Sequence, residues 1–311
     1  MTPTSAPPRY RCLATTVAVV LTLTLAAVAG CQSQQDPKLQ SVQEKLKQTH
    51  IYQQGKLRIG VAGTEPLMGE VENGVYKGFD VEIARYIASS LGYSAEDIEF
   101  RAVETENRIP RLQGGDVDLV VSSFSITEER EKLVSFAGPY FVTTQEVLIP
   151  VAMKGKIRTI EDLRNPAYRI CTSGGSTSEE ELGRHKVSPL VVMTTNDCVT
   201  GIRAGRYDGM SSDETILAGF MSRYPKEFEI VGMPFGTSER LGIGVPITDP
   251  ALRDLVAYFL QKSYLAGRNG GSSAWRTAYN KTLGPWLGAD RNQPAPEKVP
   301  DLIDFDERSP R

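Results

Sequence analysis

Apolar and polar positions change rhythm along the chain, and each change marks a segment. An apolar run without a single charge extends over residues 13–28. Residues 32–54 are rich in Gln and Lys and poor in large apolar side chains, which predicts a tether, helical around 41–48. The body then alternates. A strand pattern over 57–62 is followed by Phe79, Ile83, Tyr86, Ile87 and Leu91 at helical spacing, with Gly92 closing that helix. Strand signals over 98–103 and 117–121 flank a short helix over 108–113. Another short helix starts after Thr127, its N-cap, and places Arg130 in the first turn.

An extended run over 145–151 closes this block and the rhythm restarts. Helices are predicted over 159–163, 177–183, 197–204 and 214–222, alternating with strands over 168–172, 190–193 and 207–211. A second extended run, 240–246, precedes helices over 250–266 and 273–281. Pro294, Pro296, Pro300 and Pro310 mark residues 289–311 as a disordered tail. Alternation of strand and helix predicts an α/β fold built from parallel-sheet units. Two such blocks joined by two extended crossovers predict two lobes with a cleft between them. Lobe 1 would comprise 55–146 and 241–288, and lobe 2 would comprise 147–240.

Composition then excludes several functions. A hydrophobic fraction of 40% supports packed cores. Lys+Arg 35 against Asp+Glu 38 gives no basic face for nucleic acid. Two histidines, His50 and His185, leave no basis for a His-rich metal centre or a Ser–His–Asp triad. No GxSxG elbow, P-loop or CxxC occurs. Neither a metal nor a cofactor is expected, and the reading is of a binding protein, not an enzyme.

The apolar run carries an address. Arg9 and Arg11 precede it, and Ala26, Ala27, Val28, Ala29 and Gly30 lead into Cys31, the layout of a secretory signal. The run also approaches the ~20 apolar residues of a membrane span, which is the alternative reading. Val28-Ala29-Gly30-Cys31 resembles the bacterial lipobox, in which the cysteine is lipidated and becomes the first residue of the mature chain. Removal of residues 1–30 would leave 33 bases against 38 acids, a net charge of −5 in place of −3. Cys12 would be lost and Cys31 lipidated, so Cys171 and Cys198 remain as a pair. In an exported protein such a pair reads as a disulfide, worth roughly 3–4 kcal/mol in the chain-entropy model; two buried free thiols are the alternative.

Gly78-Phe79-Asp80-Val81-Glu82-Ile83, continued by Ile87, Ala88 and Leu91, resembles the signature of bacterial family-3 extracellular solute-binding proteins. Asn107-Arg108-Ile109-Pro110 with Gly114-Gly115-Asp116-Val117-Asp118, then Ile126-Thr127-Glu128-Glu129-Arg130 and Phe136-Ala137-Gly138-Pro139-Tyr140, extend the resemblance, which runs over 57–284. It implies a two-lobe periplasmic-binding-protein-like fold of type II, with the crossover strands as hinge. It further implies a monomer that closes on a polar amino acid and presents it to an ABC permease. With the lipobox, the expected location is the outer face of the cell membrane, anchored in the bilayer through Cys31.

The resemblance also assigns residues. Arg130 would clamp the ligand α-carboxylate with two parallel hydrogen bonds. Ser123 and Ser125 would hold the amino-acid head, and Asp213 would pair with the α-ammonium. Gly175, Ser176 and Thr177 open a helix whose N–H groups suit a carboxylate. Without the family, Thr127, Ser176, Thr177 and Asp213 read as ordinary helix caps. Arg108, with Thr105, would reach the ligand side chain. Arg108, Arg130 and Asp213 sum to +1, which matches L-glutamate or L-aspartate. L-glutamine or L-asparagine becomes the ligand if Arg108 instead pairs with Glu104 or Glu106. The loop Thr64-Glu65-Pro66-Leu67-Met68-Gly69 lacks the aromatic platform common in the family, which disfavours a basic or aromatic ligand. Two other roles fit the same fold: an amino-acid sensor acting through a membrane partner, and an exported dehydratase.

Overall fold

A computed structural model describes residues 39–304, so the apolar run, Cys31 and residues 305–311 lie outside the described part. One nine-stranded sheet runs through the molecule. Its strands are β1 (Leu57–Val61), β2 (Ile98–Ala102), β3 (Leu119–Val120), β4 (Ser135–Pro150), β5 (Ile170–Ser173), β6 (Leu190–Val192), β7 (Gly209–Asp213), β8 (Phe228–Ile230) and β9 (Phe235–Val245). The order is β6-β5-β7-β4-β9-β3-β1-β2, with β8 also on β4. β1 is parallel to β2 and β3, and β5 is parallel to β6 and β7. Antiparallel pairing in this sheet is made by β4 and β9: β4 pairs with β7, β8 and β9, and β9 also pairs with β3. The molecule therefore has two parallel α/β lobes, joined through β4 and β9. These two strands are longer than the runs over 145–151 and 240–246, because each continues from one lobe into the other.

The helices that matter for the site are α1 (Phe79–Ser90), α2 (Arg108–Gln113), α3 (Thr177–Arg184), α4 (Thr195–Arg203), α5 (Glu214–Arg223), α6 (Pro250–Arg268) and α7 (Ala274–Lys281). α1 buries Phe79, Ile83 and Ile87 of the stripe its spacing predicts, with Tyr86 half-buried. It starts at Gly78 with φ 122°, where a Cβ would collide with the Met68 carbonyl. Phe79 meets the edge-on ring of Trp275 at 5.8 Å, and Trp275 stacks on Tyr279 at 5.0 Å. The indole N–H donates to the Tyr140 carbonyl, fixing α7 against β4.

Several expectations change. The helix predicted over 159–163 shrinks to a 3₁₀ turn, Asp162–Arg164. Asn165 precedes Pro166 and is extended, as a residue before proline prefers. Strand Phe228–Ile230 and the small meander Thr64–Glu65, Gly69–Glu72 and Val75–Lys77 carry no strong period and are absent from the prediction. Residues 39–54 are not a free tether. Ser41 caps helix Val42–Leu46 through a capping box with Glu44, and Val42 and Ile51 are buried.

His50 completes that attachment. Its Nδ1 lies 2.6 Å from Asp249 and its Nε2 3.1 Å from Asp118. Hydrogen bonds to both carboxylates raise its pKa to about 9 against the cost of burial.

The tail expected to be disordered is docked over its described part, 289–304. Gln293 accepts from the Ser263 hydroxyl and donates to the Leu260 carbonyl. Glu297 bridges to Gly138 on β4 and pairs with Arg240 on β9. Leu302–Ile303 runs parallel to Gln40–Ser41. Proline content here reflects an extended strap and not absence of structure. Cys171 and Cys198 are joined, tying β5 to α4. Among the described residues no helix is long and apolar enough to cross a membrane.

Candidate functional site

The parallel strands of both lobes end at a shared cleft, where open α/β sheets place ligand-binding groups. Lobe 1 supplies Glu65, Thr105, Arg108, Ser123 and Ser125 to the cavity. Lobe 2 faces them with Thr172 and Ser173 at the end of β5, Ser176–Ser178 at the start of α3, Thr195 on α4, and Ser212 and Asp213 at the end of β7.

The chain after β3 is shaped for this. Ser123 has φ 42°, a left-handed conformation uncommon for a non-glycine residue, and Asp80 accepts from its N–H at 2.8 Å. Asp80 also accepts from the Tyr140 hydroxyl at 2.7 Å. The acidic first turn of α1 thus buttresses the turn that carries Ser123 and Ser125.

Phe124 lies between the two arginines. Arg108 stacks over its ring at 4.5 Å and Arg130 at 5.2 Å. Arg108 donates from Nε to the Thr105 carbonyl and from Nη1 to the Ser122 and Ser123 carbonyls. It pairs with neither Glu104 nor Glu106, and Glu104 instead accepts from Asn107. Arg130 sits one turn into its helix, whose N-cap Thr127 accepts from the Arg130 N–H. Its Nη1 donates to the Ser125 carbonyl and its Nη2 reaches across to the Gly175 carbonyl at 3.0 Å. Burial works against both positive charges, and at Arg108 the nearby Arg130 adds to it.

Asp213 stands at the N-cap of α5, yet its side chain makes no capping bond. It accepts instead from Gln145 Nε2 at 3.3 Å. That same nitrogen lies 3.1 Å from the Thr177 hydroxyl and 3.0 Å from Glu239. Burial, and then Glu239, push the Asp213 carboxyl well above its usual range. Ser176 does cap α3, accepting from Glu179 N–H, and the Gly175 N–H donates to the Glu179 carboxylate. The start of α3 is therefore partly filled by its own Glu179, so Gly175 and Ser176 do not offer the bare N–H cradle that the sequence suggests. Thr177 remains in the cavity, its hydroxyl 3.4 Å from that of Ser125 in the other lobe.

The structure thus gathers Thr105, Arg108, Ser123, Ser125, Ser176, Thr177 and Asp213 around one cavity, whereas Arg130 and Gly175 do not line it and are bonded to each other. Sequence reasoning missed Glu65, Gln145, Glu239 and the lobe 2 hydroxyls. Gln145 and Glu239 lie on the crossover strands, where polar residues in a buried run were the available signal. The hydroxyls of Ser173 and Thr195 are buried without a hydrogen-bond partner. Glu65 is buried, accepts from the Ser123 hydroxyl at 3.3 Å, and has its pKa raised to about 7 by burial and by Asp80. Asp80 itself is raised to about 6 by burial. The sum of +1 counted Arg108, Arg130 and Asp213 alone and left out Glu65, which also lines the cavity.

The lobes are also in contact through α5, outside the cavity lining. Arg223 on α5 pairs with Glu70 of lobe 1. Gly219 on the same helix lies against the Pro66 carbonyl, so closely that a Cβ would overlap it.

Comparison with known proteins agrees with this architecture. The sequence model of bacterial extracellular solute-binding proteins, family 3, matches residues 57–283. The ABC transporter glutamine-binding protein of Bacillus subtilis is 34% identical over 206 residues, covering 65% of this chain and 71% of that protein. The glutamate-binding protein of Corynebacterium efficiens is 31% identical over 228 residues, covering 68% of this chain and 76% of that protein. Among solved structures, the solute receptor for L-cysteine of Neisseria gonorrhoeae superposes with a TM-score of 0.68 at 27% identity, over 82% of this chain and 98% of that one. Each of the three is named as a binding protein or receptor.

Proposed function

Because the chain belongs to the bacterial extracellular solute-binding proteins of family 3, we propose that it is the extracytoplasmic receptor of an ABC importer for a polar amino acid of the glutamine–glutamate class. One observation carries this reading: Asp213 of lobe 2 lines the cleft, and Arg130 of lobe 1 donates to the carbonyl of Ser125, which lines it too, and to that of Gly175 in the other lobe. Arg130 takes the α-carboxylate and Asp213 the α-ammonium, with Ser125 and Thr177 closing on the head. The ammonium restores the charge of an Asp213 carboxyl that burial otherwise disfavours. Closure follows because the ligand's contacts to lobe 2 form only when the lobes meet. The hydroxyl wall, with Ser173 and Thr195 unsatisfied, supplies neutral partners for a polar side chain.

The finer parts belong to the same proposal. Lobe 2 is 147–240 and lobe 1 is 55–146 with 241–288, to which the strap over 289–304 is added. Cys31 is the lipidated first residue that tethers the receptor to the membrane beside its permease. A thermal-shift panel of the twenty amino acids tests the assignment. A ligand at 100 times its dissociation constant stabilises by about 2.7 kcal/mol, well within detection. Shifts confined to polar amino acids and lost in Arg130→Ala support the reading. No shift with any amino acid removes it.

A further inference from the structure

We propose that Glu65 and Arg108 together read the end of the ligand side chain and select a side-chain amide over the corresponding acid. The inference rests on the reading of the cleft as an amino-acid site and narrows it to glutamine or asparagine.

The geometry of Arg108 is the first argument. A guanidinium favours a carboxylate when two neighbouring N–H groups can point at it in parallel. Here Nε faces the Thr105 carbonyl and Nη1 faces the Ser122 and Ser123 carbonyls. Either two-donor edge that could face the cavity includes a nitrogen with no N–H left, unlike Arg130, whose Nη1 and Nη2 each serve a single carbonyl, and stacking on Phe124 holds the plane in place. What remains for a ligand is donation from Nη2, which suits a single carbonyl oxygen. An amide oxygen asks for no more than that.

Glu65 is the second argument. Its carboxyl lines the same cavity, is 6% exposed, and is held by the Ser123 hydroxyl. As an anion it accepts from the –NH₂ of an amide, whereas the carboxylate of an acidic ligand at the same place would face it with like charge. Removing a buried hydrogen-bonding complement is costly, so a donor–acceptor pair of this kind discriminates strongly. The charged and titratable groups around Glu65 are Asp80 on α1, Tyr140 on β4, Arg108 on α2 and Asp213 on β7. Two of these carboxyls oppose its ionisation and Arg108 favours it.

The selection therefore depends on pH. Glu65 titrates near pH 7. Below that it is neutral and can donate to a ligand carboxylate, so an acid is tolerated. Above it the anion repels the acid but still accepts from the amide. Binding that requires one proton weakens by up to tenfold per pH unit above the pKa.

Calorimetric titration of the protein with L-glutamine and L-glutamate at pH 6.0 and 8.5 tests this, using wild type, Glu65→Gln and Arg130→Ala. Melting followed by circular dichroism confirms that each variant is folded. Wild type is expected to hold glutamine with less than about threefold change in Kd, while glutamate weakens by at least about tenfold. Glu65→Gln is expected to abolish that pH dependence and to cut the glutamine-over-glutamate ratio at pH 8.5 by at least about tenfold. Tight, pH-independent glutamate binding by wild type overturns the inference without any variant. So does an unchanged ratio in folded Glu65→Gln. Loss of all amino-acid binding in Arg130→Ala beside an unchanged ratio in Glu65→Gln overturns this inference alone. Wild-type binding to neither ligand nor any other polar amino acid overturns the underlying reading as well.

Discussion

In the proposed reading, recognition of every ligand turns on Arg130 and Asp213. Arg130 projects from a short helix, held in place by the Thr127 cap, and its two Nη groups already point at carbonyl oxygens of both lobes. Lysine supplies charge without the planar fork, so Arg130→Lys is expected to weaken binding at least about tenfold, read by calorimetry. Asp213→Asn removes a charge-assisted hydrogen bond to the ammonium worth about 1.5–3 kcal/mol, so a loss of roughly 10–100-fold is expected. Equal binding by either variant would show that the head group sits elsewhere. That Ser125, Thr177 and Asp213 come to one cavity was legible because they stand beside a motif or directly after a predicted strand. Glu65 was not. It sits in a turn-rich loop whose burial depends on α1 and the Ser123 turn closing over it, and nothing local reports that.

At the scale of elements, periodicity located most of the α/β units, and the crossovers were visible as runs without helical spacing. It failed where segments gain order only by docking. The strap over 289–304 has no apolar period; its order comes from Gln293, Glu297 and the pairing of Leu302–Ile303 with Gln40–Ser41. His50 is the corresponding fastener at the other end, joining Asp118 and Asp249 to the segment over 39–54. Its folded pKa is raised above the unfolded value. The stability it adds is therefore fully present below about pH 6.5 and is lost as pH rises through about 9. Thermal melts of wild type and His50→Gln should differ most near pH 6 and converge by pH 10. A constant gap across that range would contradict the ionic role. The disulfide acts in the same way on lobe 2, closing a separation of 27 residues between β5 and α4. Its reduction should destabilise by about 3–4 kcal/mol in the chain-entropy account. A reduced protein that melts with the oxidised one would refute that.

For the molecule as a whole, the two lobes, the hinge and the cleft follow from one sheet that changes from parallel to antiparallel at β4 and β9. The alternation of strands and helices made this architecture legible, and the family signature supplied its purpose. What the sequence could not give was how tightly the lobes meet. Gly219 packs on the Pro66 carbonyl outside the cavity, so Gly219→Val should hinder closure while leaving every proposed ligand contact in place. A weaker affinity with little change in the melting temperature of the ligand-free protein is the expected result, by calorimetry and thermal melting. Unchanged affinity would mean that closure does not bring these surfaces together.

The central claim is that a polar amino acid is held between the lobes by Arg130. Calorimetric titration of L-glutamine at pH 8 into wild type and into folded Arg130→Ala tests it most directly. The account predicts a one-to-one isotherm for wild type and no measurable binding for the variant. Full binding by Arg130→Ala, or the absence of binding by wild type to glutamine and to every other polar amino acid, would contradict it.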